Sequence, residues 1–179
     1  MRTTSSVLAM LLCAACGGDA TGSSGTTYSA PYAANVVETT TSTSLTGGGT
    51  MTCTNTFTMT GTLTITMNSS SGPASGSAQI TGNQVEKSRS PNTCTAKGDL
   101  TTSWSPTLTG TTTDLHFDDS RVSTNGGFSV KTTASFAGAL TGGSVAGVLT
   151  FTESASGTPS PTTSVTESYS ASAQLVLTR

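Results

Sequence analysis

Apolar and hydroxyl-bearing side chains alternate along this chain with a period of two from Tyr32 to the last residues. That period is the mark of strands with one buried and one wet face. The stretch from Thr50 to Met67 shows it most fully. Threonine fills every even position from Thr50 to Thr66, and the odd positions include Phe57, Met59, Leu63, Ile65 and Met67. Runs of this kind are predicted at 33–45, 50–67, 76–85, 93–104, 110–118, 127–140, 144–154 and 164–178, separated by clusters of Gly, Pro, Ser and Asn. After the first residues no segment has a helical apolar spacing, so the expected class is all-β.

Parity then assigns faces. The run at 93–104 is expected to turn Cys94, Ala96, Gly98, Leu100, Thr102 and Trp104 inward, with Lys97 and Asp99 outward. Further along, Leu115, Phe117, Phe128, Val130, Phe136, Leu140, Val145, Leu149, Phe151, Val165, Tyr169, Leu175 and Leu177 are read as inward. All five phenylalanines and the single Trp104 fall on that side. About eight antiparallel strands can form an up-and-down, lipocalin-like barrel or a two-sheet sandwich. The barrel is favoured for two reasons. Runs of about 12 residues with short turns use up the available length, and Gly61, Gly98, Gly138 and Gly147 interrupt inward faces where a closing strand bends. A straight strand over 50–67 would extend about 56 Å, so a bend or bulge is expected at Gly61.

The first residues, MRTTSSVLAMLLCAACGGDA, break the pattern. Arg2 precedes an apolar run, Val7 to Leu12, that is too short to span a bilayer. Cys16 follows Ala14 and Ala15 and precedes Gly17-Gly18. This Cys-Ala-Ala-Cys resembles the lipobox of bacterial lipoproteins, departing from it at Cys13, where leucine is usual. The resemblance covers about residues 1–20. It implies cleavage by signal peptidase II before Cys16, lipid on that cysteine, and an envelope location. Gly17, rather than Asp, after the lipidated residue points to the outer membrane. The organisation expected is a signal peptide over 1–15, lipidated Cys16 with a flexible Gly/Ser/Thr tether to residue 31, and one antiparallel β domain over 32–179. The plainer alternative is a secreted protein cut elsewhere.

Cys53 and Cys94 remain. An oxidising compartment and an even count argue for one disulfide between them. In a plain meander, however, their strands would be second neighbours about 9.6 Å apart, beyond disulfide reach. Either that end is pinched or the strand order is not a simple meander. Two isolated cysteines lack the paired spacing of a zinc site.

Charged residues make up only 9% of the chain, with a formal net of −2 and no basic patch, so nucleic acid is not an expected partner. The threonine rank needs no function to explain it: threonine suits a pleated surface and is content in water. A hydroxyl face that contacts polysaccharide, or a flat array of the ice-binding kind, is the sharper reading. Asp114, His116 and Asp118 share one strand face. They read as a solvated strand end more readily than a metal site, and Asp119-Ser120-Arg121 as a charged turn. Glu153 and Glu167 both take inward parity and flank one turn, which would set them opposite each other at one mouth of the barrel. Paired carboxylates at such a place can fix a ligand or titrate together, and the plainer reading is two acids at a wet rim. Trp104 and Tyr169 join them as candidate ligand-binding residues. The sequence holds no nucleophile elbow and no phosphate loop, so no enzyme, cofactor or metal is expected.

Two functions follow as expectations. One is a lipid-anchored carrier of a small apolar ligand, its cavity left by small inward residues such as Ala78, Gly82, Ala96, Ala134, Ala171 and Ala173. The other is a structural or adhesive surface protein that meets polysaccharide or envelope partners through its Ser/Thr face. The oligomeric state is not legible.

Overall fold

A computed structural model describes residues 25–125 and 127–179. The signal segment and Cys16 lie outside the described residues. Nine antiparallel strands follow in chain order: β1 (Thr26–Ser44), β2 (Thr50–Met67), β3 (Gly76–Ser90), β4 (Leu100–Trp104), β5 (Thr107–Thr111), β6 (Asp114–Asn125), β7 (Phe128–Thr141), β8 (Ser144–Ser160) and β9 (Thr163–Leu177). They make one sheet that closes in a ring, because β2 pairs with both β1 and β3 while β1 also pairs with β9. Among the described residues there is no helix.

The ninth strand arises from a break. Ile80 pairs with Trp104 and Gly76 with Leu108, one continuous register in which β4 and β5 form a single stave against β3. Pro106 lies between them, and its missing N–H interrupts the ladder. Eight staves therefore run up and down the ring, the number that parity predicts. We call the end carrying Thr26, Met67 and Leu177 the base, and the end carrying Ser44, Thr50 and Ser160 the mouth.

The base half is filled. Tyr28, Leu63, Ile65, Met67, Ile80, Leu108, Leu115, Val145, Leu149 and Leu177 are fully buried there or toward mid-height. Removing each such aliphatic side chain from water contributes about 1.5–3 kcal/mol. Phe117 stacks on Phe136 with ring centroids 5.7 Å apart, and Tyr32 meets Phe151 at 5.6 Å. Tyr32 crosses a paired Gly61 and Gly82, where a Cβ on either would run into its hydroxyl. None of the nine threonines of β2 is buried, and Thr27–Thr66 and Ser29–Thr64 hydroxyl pairs, both 3.1 Å, tie β1 to β2 outside. A membrane-spanning barrel shows an apolar band to lipid. This ring has the opposite polarity, apolar within and hydroxylated without.

Several expectations need correction. β1 starts at Thr26, not beyond residue 31, because Tyr28 and Ala30 continue the inward parity of Tyr32 and are buried. The strand therefore begins earlier than residue 32. The register shift in β2 falls at Thr56/Phe57, while pairing stays regular through Gly61, whose role is to admit Tyr32. Residues 93–99 are not strand, so Ala96 and Gly98 are exposed rather than inward, and Leu100 is 53% exposed. The expected strand over 110–118 is split by a turn at Thr112-Thr113. Asp119-Ser120-Arg121 then lies within β6 rather than in a turn.

The disulfide and the meander coexist. Cys53 and Cys94 are bonded with Cα atoms 5.9 Å apart. No pinch is needed, since Cys94 is not on the fourth stave. It sits in the loop from Pro91 to Asp99, which folds back past β3 to reach β2 and is fixed there.

Candidate functional site

That loop determines the chemistry of the mouth. Bonded at Cys94, with the Lys97 amide donating to Glu86 Oε2 at 2.9 Å, it turns the Lys97 side chain inward instead of outward. Lys97 Nζ lies 2.6 Å from Glu167 Oε2 and 3.0 Å from Glu38 Oε1. The Thr40 hydroxyl donates to Glu167 at 3.2 Å. Glu153 completes a trio: one carboxylate oxygen from each of Glu38, Glu153 and Glu167 lies within 4.8 Å of the others.

Strand register explains the meeting. Across the inward face, Arg121 pairs with Thr132, Thr132 with Glu153, and Glu153 with Tyr169, one row spanning β6 to β9. Glu167 pairs with Ala155, so the two acids are diagonal neighbours rather than directly opposite as expected. Glu38 reaches the same height on β1 and pairs with Asn55 on β2.

Burial and proximity set the electrostatics. Glu153 is pushed up to about 7, first by burial and then by its hydrogen bond to Glu167 and that residue's charge. Burial alone would raise Glu167 as well, but the Lys97 ammonium overrides it and holds the group below its ordinary value. Glu38 is raised by burial, which Lys97 only partly offsets. Burial works against the Lys97 charge, yet the two acids reverse that and raise its pKa. Tyr169 is raised by burial and by the charge of Glu153, and Tyr32 to about 12 by burial. The side chain of Glu38 is only 4% exposed and that of Lys97 35%, so the lysine bridges a buried acid to solvent.

Two clefts open on this cluster. One, about 320 Å³, is lined by Glu38, Gln84, Lys97, Glu153, Glu167 and Tyr169 with the loop backbone from Gly98 to Leu100. The other, about 230 Å³, shares Glu153 and Tyr169 and is walled by Met59, Trp104, Phe151 and the stave Leu100–Ser103. It lies behind a seam in the ring. β5 pairs with β6 only over Thr109–Thr111, and above that β4 and β6 share no ladder. Arg121 bridges the seam: its Nη1 donates to Ser103 O at 2.8 Å, and its guanidinium carbon lies 4.0 Å from the centre of the Trp104 ring.

All four candidate residues, Glu153, Glu167, Trp104 and Tyr169, thus converge on the mouth. Sequence reasoning missed Glu38 and Lys97. The parity of Tyr32, Ala34 and Val36 would have shown Glu38 as inward, whereas Lys97 depends on a loop path that no periodicity encodes. Asp114 and His116 do face solvent, 4.0 Å apart and both more than half exposed. Set against family models, curated proteins and solved structures, the chain matches none.

Proposed function

We propose that this antiparallel ring is the domain of an envelope lipoprotein, anchored through Cys16, that carries a small molecule in its mouth. The observation that supports it most is the uneven filling of the ring: a packed apolar base under a mouth with two joined clefts. A site of this make-up takes a ligand with an apolar part and a polar head, since aromatic walls and converging polar groups line it together. The packed base limits that ligand to the mouth, and a cleft of about 230 Å³ suits a small one. No step of a reaction follows from the cluster, and the reading is of a binder rather than an enzyme.

A second reading rests on a separate observation. The outward positions of β8, β9, β1 and β2, adjacent in the ring, carry no Asp, Glu, Lys or Arg, and most are Ser or Thr. Such an uncharged hydroxyl face suits contact with polysaccharide. Native mass spectrometry of protein purified gently from its own envelope separates the two. The carrier reading expects a discrete extra mass that leaves on denaturation. A bare lipidated mass, with retention on an envelope polysaccharide column, would replace it with the surface-contact reading.

A further inference from the structure

Among the described residues, the three carboxylates of the mouth outnumber the cations that pair with them. Three carboxylates surround a single ammonium, and Lys97 spans only two of them, Glu38 and Glu167. Among the described residues Glu153 forms no salt bridge; it faces the apolar cleft, which it shares with Arg121, whose guanidinium is held by Ser103 O and the Trp104 ring. A second observation is independent of the acids. Asn55 is 2% exposed on the inward face, directly across the ladder from Glu38, and its Oδ1 has no hydrogen-bond partner. A buried polar oxygen left unpaired costs about 1–3 kcal/mol, and Asn55 stands beside the acid trio rather than in the lining of either cleft. Glu38 Oε1, beside it, has its ionic contact with Lys97 but accepts no hydrogen bond within ordinary geometry.

The walls of the cleft select the kind of cation. Glu153 shares its cleft with Trp104, Phe151, Tyr169 and Met59. A hydrated metal ion has no use for three aromatic rings and a thioether, whereas an organic cation packs its carbon against them and its charge over their faces. Arg121 already shows the Trp104 ring accepting a cation. Lys97 shows that a primary ammonium fits between carboxylates of this trio. We propose that the mouth recognises a small organic ammonium, its head donating to Glu153 and its apolar body lying between Trp104, Met59 and Phe151. The seam between β4 and β6, with Arg121 across it, is the entry. This rests on the small-ligand reading above and names the ligand's class.

Calorimetric titration of the full chain in detergent at pH 8, where Glu153 carries its charge, tests it, with benzylammonium chloride, its neutral counterpart benzyl alcohol, and calcium chloride as separate probes. Benzylammonium is expected to bind about tenfold or more tightly than benzyl alcohol, the ratio that a charge-assisted hydrogen bond supplies. Glu153→Gln keeps the shape and abolishes that ratio, leaving benzyl alcohol within about threefold of its original affinity. Trp104→Leu weakens both organic probes. Equal binding of amine and alcohol overturns the ammonium proposal while leaving a small-ligand site standing. Glu153-dependent binding of calcium without benzylammonium also overturns it, in favour of a metal site. Failure of both organic probes at millimolar concentration overturns it too, and the native mass of the envelope-purified protein then decides the carrier reading separately.

Discussion

Glu153 gives the sharpest test of the mouth's electrostatics. Its carboxyl, ordinarily near 4.5, is pushed up to about 7 in the folded chain. The folded state therefore holds this proton more tightly than the unfolded one. The resulting stabilisation is complete below about pH 4.5 and is lost as pH rises through 7. At full weight the change between pH 5 and 8 is about 2–3 kcal/mol, and water at the half-open mouth reduces the expected value to about 1 kcal/mol. Glu153→Gln is neutral throughout and removes this component. Glu38, raised in the same direction, remains in the mutant, and Glu167, held low, loses its contribution only in more acidic solution. Only the difference between the two proteins isolates Glu153. Urea unfolding at pH 5 and pH 8 measures it. The wild type should lose about 1 kcal/mol more than the mutant across that interval, roughly a 0.5 M difference in midpoint shift. Equal pH slopes would mean that Glu153 is ionised at neutral pH, and the crowded trio would be refuted.

Three further outcomes follow from other parts of the fold. Replacing Cys53 and Cys94 by serine opens a loop with a sequence separation of 41, and the chain-entropy estimate sets the loss at up to about 4 kcal/mol. Thermal unfolding should fall by roughly 10 °C, and an unchanged midpoint would show that the strap adds nothing. Gly82→Ala drives a methyl into the Tyr32 hydroxyl and should cost about 1–3 kcal/mol by chemical denaturation, whereas Gly98→Ala, with open space around it, should cost nothing measurable. Cys16→Ser should move the protein from the membrane pellet to the soluble fraction, and a mutant that still pellets would defeat the lipid anchor.

The fold was legible where side-chain period and backbone geometry are the same fact. β2 runs from Thr50 to Met67 as its threonine rank requires, and Phe57, Leu63, Leu115 and Phe151 are buried where parity puts them. Parity is silent about chain path. It could not show that Thr112-Thr113 turns, since threonine is itself a good strand former. Nor could it show that Cys94, Ala96 and Gly98 alternate within a loop. The alternation there is real in the letters and has no strand behind it: the segment is bonded at Cys94 to β2 and lies off the line of the fourth stave.

The same limit explains the mouth. Glu153, Glu167, Trp104 and Tyr169 were readable because each lies on a regular stave, and Glu38 was readable by the same rule. Lys97 was not, yet it decides what the acids can do. Without it, Glu167 would lose the contact that contributes most to holding it below its ordinary value, and Glu38 the one that offsets its burial. With it, one acid is held ionised, one is buried against the ammonium, and one is left for the cleft. The disulfide is the reason this division exists, for it fixes the loop whose single cation sorts three similar carboxylates into three states. Strand period built the cup, and an irregular, covalently pinned loop gave its rim a chemical character.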